Sequence, residues 1–204
     1  MPYSLRRLLL LFGGCVVLGV GVSMLLTADL GSDGYSTLVN GIAMRGDWAF
    51  WIVNAAVSVV FLAMAALRRV RPGLGTLVQI VLVGVTVTVL LDVLATPDGL
   101  VARSLLLAAA FPVLAIGIAA YLGSQTGAGP AEAFALAWDP PVAFRWSYSA
   151  VQGGGALLGW LLGATIGVGT VAVILLLGPL VDLASRLLRL DVHQGGAATH
   201  DPAG

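Results

Sequence analysis

Six apolar segments, each long enough to cross a lipid bilayer, most constrain how this chain folds. They lie at about 8–28, 49–67, 76–95, 104–122, 148–166 and 170–188. A transmembrane helix needs roughly 20 predominantly apolar residues, because each residue rises only about 1.5 Å. Two shorter apolar segments, at about 34–44 and 130–138, are predicted to form half-helices that either dip into the bilayer or lie at its interface. The pattern predicts an all-α membrane protein with six transmembrane helices.

The composition excludes several classes of function. Of 204 residues, 59% are hydrophobic and only 10% are charged, whereas soluble proteins carry about a quarter charged residues. The ten basic residues, all arginine, balance ten acidic ones, so nothing favours nucleic acid as a partner. One cysteine and two histidines offer no disulfide and no Cys/His metal site. No metal or cofactor is predicted, and the lipid bilayer is the expected surrounding.

The N-terminus resembles two export signals. Arg6 and Arg7 precede an apolar run that is longer than the core of a cleavable signal peptide, which favours a first transmembrane helix. The run 12–15, ending at Cys15, also resembles a lipoprotein motif, but only five residues separate Arg7 from Gly13. A buried cysteine is favoured over a lipidated one.

The arginines predict the orientation, because basic residues accumulate in cytoplasmic loops. With a cytoplasmic N-terminus, only Arg45 and Arg103 fall outside. The cytoplasmic set is Arg6, Arg7, Arg68, Arg69, Arg71, Arg145, Arg186 and Arg189. If the half-helices also crossed, the division would weaken to seven against three. Both termini are therefore predicted to be cytoplasmic, with a disordered tail at 191–204.

An internal repeat divides the chain at about residue 95. At an offset of 96, the helix starting near Arg7 matches the one starting near Arg103, including Gly21 with Gly117. At an offset of 94, the residues at 73–76 match those at 167–170. Repeats at 1–95 and 96–190 hold three spans each, so the second must enter the membrane from the opposite side. This layout predicts an inverted repeat, which recurs among secondary transporters.

Four glycine-containing motifs carry a resemblance to a known family. They are Ala28-Asp29-Leu30-Gly31-Ser32-Asp33-Gly34-Tyr35-Ser36, Arg71-Pro72-Gly73-Leu74-Gly75-Thr76, Thr126-Gly127-Ala128-Gly129-Pro130-Ala131-Glu132 and Gly178-Pro179-Leu180-Val181-Asp182. Over residues 5–190 the chain resembles the YczE/YitT-like bacterial integral membrane proteins. The resemblance implies a multi-pass protein of the bacterial cytoplasmic membrane, and it implies no biochemical activity.

The starts of the two half-helices are the strongest candidates for a binding site. Asp33 and Ser36 occupy the N-cap and third positions of the first, and Glu132 occupies the third position of the second. One interpretation is helix capping. The other is a polar site, where the two half-helices meet, for a small anion or a proton-coupled solute. Asn54 and Gln152, which are polar residues within spans, are either further ligands or interhelical hydrogen-bonding groups.

Two more features concern the spans themselves. Asp92 and Asp182 are the acids near predicted span ends, where the interface can solvate them. Four glycines recur at a strict spacing of four along the fifth span, which predicts close helix packing, either internal or against a second protomer. They are Gly155, Gly159, Gly163 and Gly167.

No enzyme is predicted, because the chain offers neither a Ser/His/Asp set nor a phosphate-binding loop. The leading interpretation is transporter-like permeation of a small solute through the site at the half-helices. The alternative is a non-transporting membrane partner that stabilises or regulates other membrane-associated proteins through the glycine-rich face. A route from the aqueous phase to the half-helices would distinguish the two.

Overall fold

The computed structural model describes residues 4–69, 72–138, 141–142 and 144–190, with side chains everywhere in these ranges except at positions 144 and 145. This part of the chain is all-helical, with no strand. Its helices are α1 (Leu5–Ala28), α2 (Gly34–Gly46), α3 (Phe50–Ala66), α4 (Leu74–Val93), α5 (Leu100–Gly123), α6 (Pro130–Ala137), α7 (Phe144–Leu161) and α8 (Val168–Leu187). The tail predicted to be disordered, with both histidines, lies outside the described residues.

Four helices are long and apolar enough to cross a membrane: α1, α4, α5 and α8. Each has 20 or 24 residues, hence a length of at least about 30 Å. Their outer surfaces fit a lipid environment, since Leu77, Val81, Val85 and Val89 form one exposed apolar row along α4. The other two predicted spans correspond to α3, an apolar helix of 17 residues, and to α7, of 18 residues.

Both ends of each of the eight helices lie within five residues of those expected from the sequence. The largest differences fall on α7, which was expected at 148–166 but ends at Leu161. The helix ends here because Gly163 has a φ of +105°, a backbone conformation that no helical residue has and that glycine adopts readily. The Ala164 N–H then donates to the Gly159 carbonyl at 2.9 Å. The expected continuous glycine row through Gly167 was therefore wrong beyond Gly159.

The helices pack in pairs that are equivalent in the two halves. α1 packs along α5, so the first helices of the halves meet. α1 also packs against α4 as α5 packs against α8, and α2 packs against α7 as α6 packs against α3. A main core lies between α1 and α5, where Leu11, Cys15 and Leu114 are almost fully buried. Each half-helix is thereby held against a helix of the other half.

Matched backbone hydrogen bonds also join the halves. The Gly75 N–H donates to the Thr126 carbonyl at 2.9 Å, and the Gly169 N–H donates to the Leu30 carbonyl at 2.8 Å. Leu30 and Thr126 differ by the offset of 96, whereas Gly75 and Gly169 differ by the offset of 94. The loop after each first helix is therefore bound to the start of the last helix in the opposite half.

Candidate functional site

A cavity of about 100 Å³ lies where the starts of the two half-helices converge. All eight helices, or the residues that cap them, contribute to its wall. Half of its twenty lining residues carry polar side chains, although the surrounding helices are apolar. These polar residues are Asp33, Tyr35, Ser36, Asn54, Ser58, Gln79, Tyr121, Glu132, Tyr148 and Gln152.

The five candidate site residues from the sequence all line this cavity: Asp33, Ser36, Asn54, Glu132 and Gln152. They come from both halves of the chain and are separated by as many as 119 positions. Their convergence follows from the packing of α2 on α7 and of α6 on α3.

On the α2 side, the candidate residues also cap the helix. The Asp33 carboxylate accepts the Ser36 N–H at 2.9 Å, and the Asp33 carbonyl accepts the Thr37 N–H at 2.9 Å. From α7, Gln152 Oε1 accepts the Gly34 and Tyr35 N–H groups at 2.7 and 3.3 Å. All four N–H groups that open the helix therefore have acceptors.

This close contact requires glycine in α2. A Cβ atom on Gly34 would overlap the backbone of Gln152, so the helix start and α7 touch main chain to main chain. Gln152 Nε2 in turn donates to the Tyr148 hydroxyl at 2.9 Å. The hydrogen bonds of Asp33 are those of a helix cap. Asp33 also lies in the cavity wall, so it stays a candidate for binding.

A second group of polar side chains fixes the wall formed by α3. Asn54 Nδ2 donates to the Ile80 carbonyl at 2.9 Å, which ties α3 to α4. The Tyr35 hydroxyl donates to Asn54 Oδ1 at 3.2 Å and lies 2.8 Å from the Ser58 hydroxyl. Asn54 is therefore held by helix-to-helix hydrogen bonds, the second of the two interpretations made from the sequence.

The α6 side is less fully bonded. Pro130 has no N–H, the N-cap Gly129 has no side chain, and the Ala133 N–H donates to the Gly129 carbonyl at 2.7 Å. The Glu132 carboxylate lies over Gly129 beside the Gln79 amide, because an added Cβ at Gly129 would sit 2.5 Å from Glu132 Oε2 and 2.8 Å from Gln79 Nε2.

Two buried polar atoms in the wall make no hydrogen bond of ordinary geometry to the described residues: Gln79 Oε1 and the Tyr121 hydroxyl. The Tyr121 side chain is 2% exposed. Neither Gln79 nor Tyr121 was predicted from the sequence as a site residue. Such residues are hard to recognise because a tyrosine at a span end is typical of an interface anchor.

The remaining candidates lie elsewhere. Asp92 and Asp182 are exposed and do not line the cavity. Gly155 and Gly159 pack against the backbone of α2, whereas Gly163 lies in a turn with open space around it and Gly167 caps α8 next to Leu30. The side chain of Arg145, which belongs to the predicted cytoplasmic set, lies outside the described residues. No group of His, Cys, Asp or Glu within the described ranges is arranged to hold a metal.

A larger cavity of about 310 Å³ lies beside the loop that follows α1. Its wall includes Asp29, whose carboxylate forms an ion pair with Arg103 at 2.7 Å and accepts a hydrogen bond from Thr165. Arg103 Nε also donates to the Ala28 carbonyl at 2.7 Å. One residue of the second half therefore caps the end of the first helix.

The long apolar helices and the polar cavity among them define the class of this chain as a helical membrane protein. Residues 5–186 match the family of unknown function DUF6198, and the chain belongs to that family. An uncharacterized protein of Haemophilus influenzae is 28% identical over 178 residues, which cover 84% of this chain and 80% of the relative. No solved structure matches the chain.

Proposed function

We propose that this protein moves a small solute across the bacterial cytoplasmic membrane through the polar cavity. The observation that carries the proposal is the convergence of Asp33 and Glu132, from the starts of the two half-helices, on one cavity. Carboxylates within an apolar bundle are costly unless water or a ligand reaches them, and such groups mark solute pathways in membrane proteins. No enzymatic step is part of this proposal.

The proposal includes six spans as two inverted repeats, with both termini cytoplasmic. The matched hydrogen bonds from Gly75 and Gly169, together with the equivalent helix pairs, support a two-fold relation between the halves. The short helices α2 and α6 then enter from opposite sides, as broken helices do in inverted-repeat transporters. The motifs at 28–36 and 126–132 support a relation to the YczE/YitT-like proteins.

The competing proposal is a membrane partner without transport activity, with a glycine-rich docking face. Its support is reduced because Gly155 and Gly159 already contact α2 of the same chain. Gly153 and Gly154, which have open space around them, are the glycines of α7 that remain for a second protomer.

Cysteine labelling from each side of the membrane tests the two proposals. In a Cys15→Ser background, single cysteines replace Ser36 and Ala131, which both line the cavity. Exposed Ala95 and Leu67 supply control cysteines for the outer and cytoplasmic sides. The unaltered chain supplies the buried control, because Cys15 is fully buried and does not line the cavity.

For a transporter, an impermeant thiol reagent is expected to label position 36 from outside in cells and position 131 from the cytoplasmic side in inverted vesicles. If both reporters stay unlabelled from either side while both exposed controls react, the cavity is sealed. The partner proposal is then favoured.

A further inference from the structure

The charge and bonding of the cavity wall indicate which solute it takes. We infer that the cavity binds a small organic cation, a protonated amine, with Glu132 as its counter-ion. This inference rests on the proposed function, because it names the solute class of the same site.

The first argument is the sign of the charge. The described lining residues include two acids and neither arginine nor histidine. The one ion pair among the described residues joins Arg103 to Asp29, which lie outside this wall. In a low-dielectric surrounding, a cation gains from each carboxylate and an anion is repelled by both.

The second argument concerns the start of α2, which by its dipole would otherwise favour an anion. Its first four N–H groups donate to Asp33 and Gln152, so none is directed at the cavity for a ligand. Asp33 also places a negative charge where an anion would have to sit. The half-helix that suggested an anion site in the sequence is therefore occupied by the protein's own acceptors.

The third argument is the set of unsatisfied polar atoms. Gln79 Oε1 can only accept hydrogen bonds, and it is buried without a partner. The Tyr121 hydroxyl is also buried, with 2% of its side chain exposed, and it makes no hydrogen bond of ordinary geometry, although the Gly129 N–H lies close to it. Buried polar groups are normally paired, so both atoms are available to hydrogen-bond a ligand that enters the cavity. An ammonium group carries up to three N–H donors, which suits an amide oxygen, a tyrosine oxygen and the Glu132 carboxylate.

The rest of the wall limits the size of the solute. Leu18, Val22, Phe50 and Leu114 give the cavity an apolar side. Its volume of about 100 Å³ leaves room for several water molecules, which corresponds to a short alkyl chain rather than a large drug-like cation. The structure therefore favours a primary amine with a few carbon atoms.

The test compares two thiol reagents of similar size and opposite charge at Ala131→Cys in the Cys15→Ser background. The cation is a trimethylammonium-ethyl methanethiosulfonate, and the anion is its sulfonate analogue. Rates are measured in detergent, where both faces of the protein are open to the reagents, and are divided by those at Ala95→Cys, so that intrinsic reactivity cancels. We expect the cation to be preferred at least about tenfold, since a carboxylate within a few ångströms contributes more than 1.4 kcal/mol at intermediate dielectric. Ethylammonium is expected to slow both reagents.

Matched variants assign the preference to Glu132. The preference is expected to fall severalfold in Glu132→Gln and to persist in Glu132→Asp, each first shown to be monodisperse in detergent. If both reagents react at 131 with equal normalised rates, or the anion is faster, the cation inference fails while the transport proposal stands. If neither reagent reaches 131 or 36 although Ala95→Cys reacts, the transport proposal itself fails.

Discussion

Two equivalent helix contacts in this molecule are built in opposite ways. Where α2 meets α7, glycines bring the backbones together: a Cβ on Gly155 would lie 2.5 Å from the Gly34 carbonyl oxygen. Where α3 meets α6, aromatic rings fill the space, with the centroids of Phe61 and Phe134 5.5 Å apart. Tyr35 of α2 packs on the same Phe61 ring, with centroids 5.8 Å apart. The same arrangement of helices therefore accommodates glycines, which have no side chain, at the α2–α7 contact and large aromatic side chains at the α3–α6 contact.

The difference extends to the two acids of the cavity. Asp33 is the N-cap of α2, whose first N–H groups are bonded to the Asp33 and Gln152 side chains and whose backbone contacts α7. The hydrogen bonds of Asp33 therefore serve mainly to stabilise this helix start. Glu132 starts a helix of eight residues whose N-cap has no side chain. The glycine contact therefore fixes one wall of the cavity. The aromatic contact holds the opposite wall, which carries Glu132, the better candidate for binding.

The largest expected effect is at the glycine contact. Gly159→Val would place side-chain atoms in the backbone of α2 at Thr37, which cannot move without breaking the α2–α7 contact. We expect a loss of about 3 kcal/mol or more in unfolding free energy, or failure to fold. Thermal unfolding in detergent measures it. Gly153→Val on the same helix faces open space and is the control. Equal stability of the two variants would mean that the close contact is not required.

A smaller loss is expected at the aromatic contact. Phe61→Ala removes the ring between Tyr35 and Phe134, and about 2 kcal/mol is expected because Phe61 is only partly buried. Phe61→Leu should recover most of this loss, whereas Phe61→Ala and Gly159→Val should differ clearly in the same unfolding assay. As a control, Phe12→Ala removes a largely lipid-facing ring, 47% exposed. A comparable loss at Phe12 would contradict a specific role for the aromatic contact.

The cap between α7 and α2 is expected to contribute less again. Gln152→Met leaves the Gly34 and Tyr35 N–H groups without an acceptor, which should cost about 1–2 kcal/mol of unfolding free energy. Gln152→Glu retains an oxygen acceptor at the same position and should restore part of the loss. If both variants unfold like the original chain, solvent or another group accepts hydrogen bonds from these N–H groups. The conclusion that Gln152 caps the start of α2 would then be wrong.

The smallest effect separates the two equivalent arginines. Arg103 pairs with Asp29 across the halves, but its side chain is 25% exposed and that of Asp29 is 45% exposed. Arg103→Gln should therefore cost only about 0.5–1 kcal/mol. Arg7, which corresponds to Arg103 at the offset of 96, is exposed, and Arg7→Gln should be nearly neutral. A double-mutant cycle with Asp29→Asn measures the coupling, and a coupling near zero would remove any bonding role from the pair.

Much of the architecture follows from the sequence because hydropathy fixes where apolar helices begin and end. The convergence of Asp33 and Glu132 was also expected from the sequence, because both lie at the start of a half-helix, Asp33 at the N-cap and Glu132 at the third position. The end of α7 was predicted too late in the sequence. A glycine at every fourth position is compatible with a continuous helix, but also with a helix that ends in a turn such as that at Gly163. The roles of Gln79 and Tyr121 were not predictable, because which atoms lack a partner depends on side-chain packing across four or more helices.

The glycine contact also has a consequence for how this chain tolerates change. At Gly34, Gly41, Gly155 and Gly159, any side chain would collide with main-chain atoms of the opposing helix. Every base substitution at the first two positions of a glycine codon introduces a side chain or a stop. In a saturating mutational scan, these four glycines of the α2–α7 contact should therefore be among the most intolerant positions, less tolerant than most large residues of the core.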